Sequence, residues 1–255
     1  MTELFDEFED WYKSYSNVFN TRDININDLV LTKQYNKTRV PEEHYICAEI
    51  ANEVYEDPRH RKMSFGDYRL DTGFNFKRTV LYKNEYADTP NYIIGIRGTK
   101  ATVEDYLTDV LLLFGKSNVS IRKKTQLSTV REIMEVLKDD GYDNSKSFIT
   151  GHSLGGMLTA HILEYVPYIT GIGFNTGSSP AQLEPFSLIL GNRPSLRTIT
   201  NSGRFINYIV KGDLIALASK YLFSDTVVII PKPPAKNAIE AHRMTFLLKN
   251  IEPRK

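Results

Sequence analysis

The stretch Gly151-His152-Ser153-Leu154-Gly155 sets a hydroxyl between two glycines, where the apolar run "SFIT" gives way to the helical periodicity of "LGGMLTAHILEYV". A serine hydroxyl is a poor nucleophile, and a sharp strand-to-helix turn pushes its oxygen out of a sheet toward a base. Such a turn leaves no room for side chains two residues either side, which Gly151 and Gly155 accommodate. The helix that follows directs backbone N–H groups toward developing negative charge. Sixteen serines and fifteen glycines in 255 positions would give about 0.06 chance copies of Gly-x-Ser-x-Gly, so composition alone does not explain it. The plainer alternative is a tight packing turn between strand and helix.

A nucleophilic serine needs a base, and the five histidines can be sorted. His152 adjoins the serine, so its side chain leaves the backbone in another direction. His161 lies about two turns along the next helix, some ~12 Å away along its axis. His44 and His60 precede the serine, against the order Ser, acid, His usual in this kind of sheet. His242, in "AIEAHRMTFLL", remains, with a surface histidine on the last helix as its plainer reading. The acid should close a strand between Ser153 and His242. Asp213 does so, directly after "RFINYIV"; Asp225 and Glu240 are weaker candidates, and Glu164 and Glu184 are poorly placed. A carboxylate there would fix the imidazole tautomer and stabilise the imidazolium. The oxyanion of an acyl-transfer intermediate needs two N–H donors. Leu154 offers one, and Thr99, closing the strand "IIGIRGT", offers the other.

These residues demand a scaffold of strands alternating with helices. "RTVLYK" and "NYIIGIRG" read as strands across a polar turn, and "SFIT", "YITGIGFN", "RFINYIV" and "TVVII" as later strands. A helix is expected from Pro41 to about Asp57, before Pro58. Leu127, Val130, Ile133, Met134 and Leu137 share one face of another, with Gly141 suited to its end. A last helix falls near 238–249. The pattern predicts an α/β fold with a mostly parallel central sheet and helices on both faces. No linker divides the chain, so one domain over 1–255 is expected. Its first 40 residues hold an amphipathic helix marked by Leu4, Phe8, Trp11, Tyr15 and Val18. Docking on the same domain is the expected role of that helix, with membrane or partner contact as the alternative.

Composition narrows the function. A net charge of +1 with 25% charged residues gives no electrostatic reason to expect nucleic acid. The single cysteine, Cys47, excludes an intramolecular disulfide and suits a reducing compartment as a buried thiol. The acidic start is no signal peptide, and the longest apolar run, "VLLLF", is far short of the ~20 residues of a membrane span. An intracellular, soluble protein is therefore expected, with peripheral membrane contact open to it. Other motifs fail. "GKS" at 115–117 has Val110 where a phosphate loop needs glycine. Asp23, Asn25 and Asn27 imitate a calcium loop, but Asp28 and Gln34 replace its turn glycine and its glutamate. The histidines form no metal-ligand pattern with the cysteine, and neither metal nor organic cofactor is expected. "IRKK" at 121–124 is expected to be a solvated basic face.

Taken together, "NYIIGIRGTKATVEDYLTDV", "FITGHSLGGMLTAHI", "INYIVKGDLIA" and the late His242 resemble the class 3, fungal-type lipases, a branch of the α/β-hydrolases. The resemblance covers roughly residues 41 to 248 in order and makes that stretch a lipase-like core. It implies Ser153 as nucleophile, Asp213 and His242 as its triad partners, and Thr99 and Leu154 as the oxyanion hole. It also implies a lid over about residues 100–114, carrying Tyr106, Leu107, Leu111 and Phe114. The implied activity is hydrolysis of an acyl lipid, a triacylglycerol or phospholipid, without a cofactor. The rival readings are a silent lipase-like binding or signalling protein and a non-lipid esterase or thioesterase. Two departures stand out: "KSNVSIRKK" replaces the usual histidine-glycine segment, and "GFNTGSSPAQL" replaces a Phe-Gly-x-Pro-Arg element.

Overall fold

The computed structural model describes residues 37–99, 118–177, 203–213, 216, 226–231 and 238–254. The expected N-terminal helix, the expected lid and Asp225 lie outside them. Asn36–Lys255 forms one compact unit.

The described strands follow the chain across one eight-stranded sheet: β2 (Ser64–Phe65), β3 (Tyr68–Asn75), β4 (Thr79–Asn84), β5 (Asn91–Ile96), β6 (Phe148–His152), β7 (Thr170–Phe174), β8 (Phe205–Val210) and β9 (Thr226–Ile230). Pairings from β2 to β5 are antiparallel, and those from β5 to β9 are parallel. Strands buried on both faces read as continuous apolar runs, and "YIIGI" is such a run. Ile93 packs on one side of the sheet while Ile94 and Ile96 pack on the other.

Each face is covered by helices. Helix α1 (Glu42–Glu53) lays Ile46, Cys47, Ile50 and Ala51 against Val80, Tyr82 and Ile93. Glu42 and Glu43 in its first turn favour the positive end of its dipole. It stops at Glu53 rather than near Asp57, because the buried Arg61 takes the Val54 carbonyl (Nη2 to O 3.0 Å) and Asp57 caps a short 3₁₀ turn, Pro58–His60. Cys47 is fully buried, and burial pushes its thiol pKa well up, which leaves it unreactive. On the other face, α2 (Asn118–Asp139) packs Val130, Ile133 and Leu137, and α3 (Leu154–Ile162) packs Met157 and Leu158, against Leu81, Ile94 and Ile149. Gly141, at φ 84°, turns the chain after α2.

The basic run at 121–124 corrects an expectation. It belongs to α2, and Arg122 is half-buried, its Nη2 donating to the carbonyls of Arg97 (3.0 Å) and Gly98 (3.2 Å). Desolvation draws its pKa down to about 10. Arg122 thereby pins the chain just after β5, next to Thr99, instead of facing water.

The last expected helix is divided at Arg243 into α4 (Ala238–His242) and α5 (Met244–Asn250). Two short strands complete the unit: β1 (Thr38–Val40) pairs in parallel with β10 (Ile251–Pro253). The compact core thus takes in residues on both sides of the expected 41–248. Among the described residues no helix is long and apolar enough to cross a membrane.

Candidate active site

Ser153 stands between β6 and α3 with φ 57° and ψ −125°, a region L-residues rarely occupy. Such a conformation costs of the order of 1–3 kcal/mol and persists only where its surroundings over-determine it. Here backbone bonds do so. Ser153 N–H donates to the Phe174 carbonyl (3.1 Å), and the Ser153 carbonyl accepts from Met157 (3.2 Å) and Gly177 (3.0 Å). The Ser153 side chain makes no capping bond to α3, so the hydroxyl is not committed to the helix.

The glycines explain how the turn fits. A Cβ on Gly151 would fall 2.6 Å from the Gly155 carbonyl oxygen. One on Gly155 would fall 2.9 Å from the Gly98 nitrogen, and one on Gly98 would fall 3.1 Å from the Gly155 nitrogen. The end of β5 therefore crosses the first turn of α3 backbone to backbone. Thr99 and Leu154 each lie one residue from that crossing. Because the obstructing atoms are main chain, Gly155→Ala is expected to destabilise the fold by about 3 kcal/mol, at the upper end for overpacking. A denaturant midpoint equal to wild type would contradict this.

Asp213 follows β8, and its Oδ2 lies 2.7 Å from Nδ1 of His242, with both side chains essentially inaccessible to water. The other carboxylate oxygen, Oδ1, accepts from the Ala216 N–H at 3.1 Å. With the carboxylate as acceptor, Nδ1–H is the donor of this bond, and Nε2 is the ring nitrogen it leaves for other partners. The rings of His242 and His152, the residue before Ser153, have centroids 4.8 Å apart. The chain thus brings the acid, the histidine and the serine turn to the same end of the parallel strands. Among the described acids weighed for His242, Asp213 is bonded to its Nδ1. The remaining histidines sit elsewhere: His44 Nδ1 is 2.7 Å from the Tyr208 hydroxyl, and His161 Nδ1 is 3.5 Å from Glu164.

Two residues at the site escape a reading by sequence. The ring of His152 does leave in another direction from Ser153, but it reaches the main chain of His242, Nε2 to O 2.7 Å. That bond makes Nε2–H the donor, and Nδ1 faces the Tyr55 hydroxyl at 3.2 Å. Burial first, then the nearby His242, lowers the His152 pKa to about 3, so it stays neutral and does not compete as a base. Tyr55 is buried beside it, and burial raises its own pKa. Asn175 is the second. It sits at φ 44° just after β7, where a left-handed residue is needed and asparagine tolerates the strain. The only signal for it in the sequence is an asparagine in a strand-end turn, "FNTG".

His152 also carries a pH prediction. Its proton affinity in the unfolded chain corresponds to a pKa near 6.5, against about 3 when folded. Between those values the unfolded state binds more protons, so its contribution to stability is present above about 6.5 and is lost as pH falls toward 3. Thermal midpoints are expected to drop across this window, and less steeply in His152→Gln. Parallel pH slopes in the two proteins would refute the assignment.

No family profile and no curated protein matches this sequence. Among solved structures the chain is similar to the Lip2 lipase of Yarrowia lipolytica, with TM-score 0.47 and 14% identity, over 82% of this chain and 86% of that one. It is similar to lipase II of Rhizopus niveus, with TM-score 0.45 and 14% identity, over 71% and 76% of the two chains. Acetyl xylan esterase 1 of a Thermoanaerobacterium species gives TM-score 0.36 and 10% identity, over 89% and 99%. What identifies this chain as α/β-hydrolase-like in fold is its own sheet, with the serine turn closing a central parallel strand and helices on both faces.

Proposed function

We propose that the protein is a serine carboxylester hydrolase that cleaves acyl lipids through an acyl-enzyme. The observation that carries this reading is the buried Asp213–His242 bond, 2.7 Å long, beside a strained serine turn. In the proposed cycle His242 Nε2 takes the Ser153 proton as the serine oxygen attacks the ester carbonyl. The Thr99 and Leu154 amides stabilise the oxyanion while His242 returns the proton to the leaving alcohol. Water then attacks the acyl-enzyme, again with His242 as base, releasing the fatty acid and regenerating Ser153. Asp213 keeps the Nδ1 proton in place and balances the imidazolium. No step requires a cofactor.

An acyl lipid is favoured by the resemblance to class 3 lipases and by the apolar sequence "YLTDVLLLF", which suits a cover over an acyl pocket. A fluorophosphonate probe and an ester series from acetyl to long-chain acyl test the proposal. Labelling at Ser153 and a rate that rises where the long-chain ester forms dispersed particles are expected. Absence of labelling in folded protein would favour the silent binding protein. A preference for acetyl esters with no interfacial rise would favour a non-lipid esterase.

A further inference from the structure

Three segments far apart in the chain must hold fixed positions for the proposed chemistry: the Ser153 turn, the end of β8 with Asp213, and the short helix with His242. Each of them bonds to one short stretch, Phe174–Gly177. Its main chain holds the serine turn from both sides, through the Phe174 carbonyl and the Gly177 N–H. The Asn175 N–H donates to the Tyr208 carbonyl at 2.7 Å. The Asn175 carboxamide, fully buried, divides its two ends between the other segments. Oδ1 accepts from the Val210 N–H at 2.9 Å, on the strand that leads to Asp213. Nδ2 donates to the carbonyls of Ala241 (2.9 Å) and His242 (3.2 Å). The His242 carbonyl is also the acceptor for His152 Nε2.

We infer that Asn175 is the positioning residue of this site, a bracket whose carboxamide sets the separation between the strand bearing Asp213 and the backbone of His242. The proposal rests on the hydrolase reading above. It is chemically specific, because both ends of the amide are used. An aspartate in its place keeps the acceptor for Val210 but turns a second anionic oxygen toward two carbonyls. A leucine offers neither bond. A glycine accepts the positive φ and loses the bracket alone, which separates the backbone requirement from the side-chain one. Asn175 stands at φ 44°, a backbone angle that glycine adopts most readily. This chain thus fills with a carboxamide a position that conformation alone would assign to glycine.

Asn175→Gly tests the bracket. Misplacement of a catalytic group by about 1 Å can cost a hundredfold in rate. With a water-soluble p-nitrophenyl ester, kcat is expected to fall about 10- to 100-fold while KM stays within about twofold, because the Asn175 side chain is fully buried and bonds main-chain groups. The low-field proton resonance of His242 Nδ1–H is expected to broaden as its geometry loosens. Asn175→Asp should fall at least as far. If Asn175→Gly does not fold, Asn175→Ser, which retains one short hydroxyl, is read instead per folded molecule, with the same drop expected. Wild-type kcat and a wild-type low-field signal in the folded variant would overturn the inference. If the unaltered protein proves no faster than Ser153→Ala, the hydrolase reading fails instead, and the proton resonance alone decides whether the bracket exists.

Discussion

Ser153→Ala is expected to reduce kcat on an activated ester roughly 10⁶-fold, to a residue set by substrate binding and the oxyanion donors. The size follows from the division of labour at the site. In the proposed cycle His242 and Asp213 only move and balance a proton, so without the hydroxyl no acyl-enzyme forms. The variant should nonetheless fold, because the Ser153 side chain does not cap α3 and its strained backbone is held by main-chain bonds to Phe174 and Gly177. Ser153→Gly sharpens the test. Glycine takes φ 57° without the Cβ penalty, so this variant should be more stable than wild type by about 1 kcal/mol and equally inactive. Gaining stability while losing turnover is the signature of strain retained for function. Equal rates in wild type and Ser153→Ala would end the assignment of the nucleophile.

Asp213→Asn is expected to cost about 10⁴-fold in kcat with KM little changed. The carboxylate accepts at Oδ2 from Nδ1 of His242 and at Oδ1 from the Ala216 amide. An asparagine carboxamide cannot accept on both sides. If its oxygen stays with Ala216, its NH₂ meets Nδ1, which then has to be the acceptor, and the imidazole proton moves to Nε2. The ring then presents a proton to the serine where a lone pair is needed. The negative charge that balances the imidazolium is lost as well. Both effects act on the chemical step, so the rate of fluorophosphonate labelling should fall in parallel with kcat. A variant that retains more than about a tenth of wild-type kcat would place the acid elsewhere.

The parts of this fold that can be read from sequence are those fixed by local pattern. β4 to β9 each present a short apolar run bounded by polar or glycine residues, and the parallel region is continuous enough in hydrophobicity to be recognised. The reading of Ser153, Asp213 and His242 rests on element boundaries and chain order, and the last two lie 2.7 Å apart. β2 and β3 are missed because "YRLDTGFN" has a largely exposed or half-exposed burial pattern and its pairing with β4 shifts register between Leu70 and Asn75. Arg122 is misread because a basic run looks solvated until the strand end it bonds to is brought beside it. His152 and Asn175 are hidden for a related reason. Their partners are carbonyls of residues 66 to 90 positions away, and a main-chain acceptor leaves no mark on residue type.

The pairing of Thr38–Val40 with Ile251–Pro253 bears on His242 as well as on the architecture. β10 follows α5 directly, and α5 follows the short helix that ends in His242. The polypeptide after the imidazole is therefore moored within eleven residues by a segment from the opposite end of the unit, reinforced where Arg39 Nε meets Glu252 at 3.2 Å. Asn175 and His152 hold the main chain at the end of that short helix. Loss of the β1 pairing would therefore leave the main chain around His242 to the hydrogen bonds from Asn175 and His152.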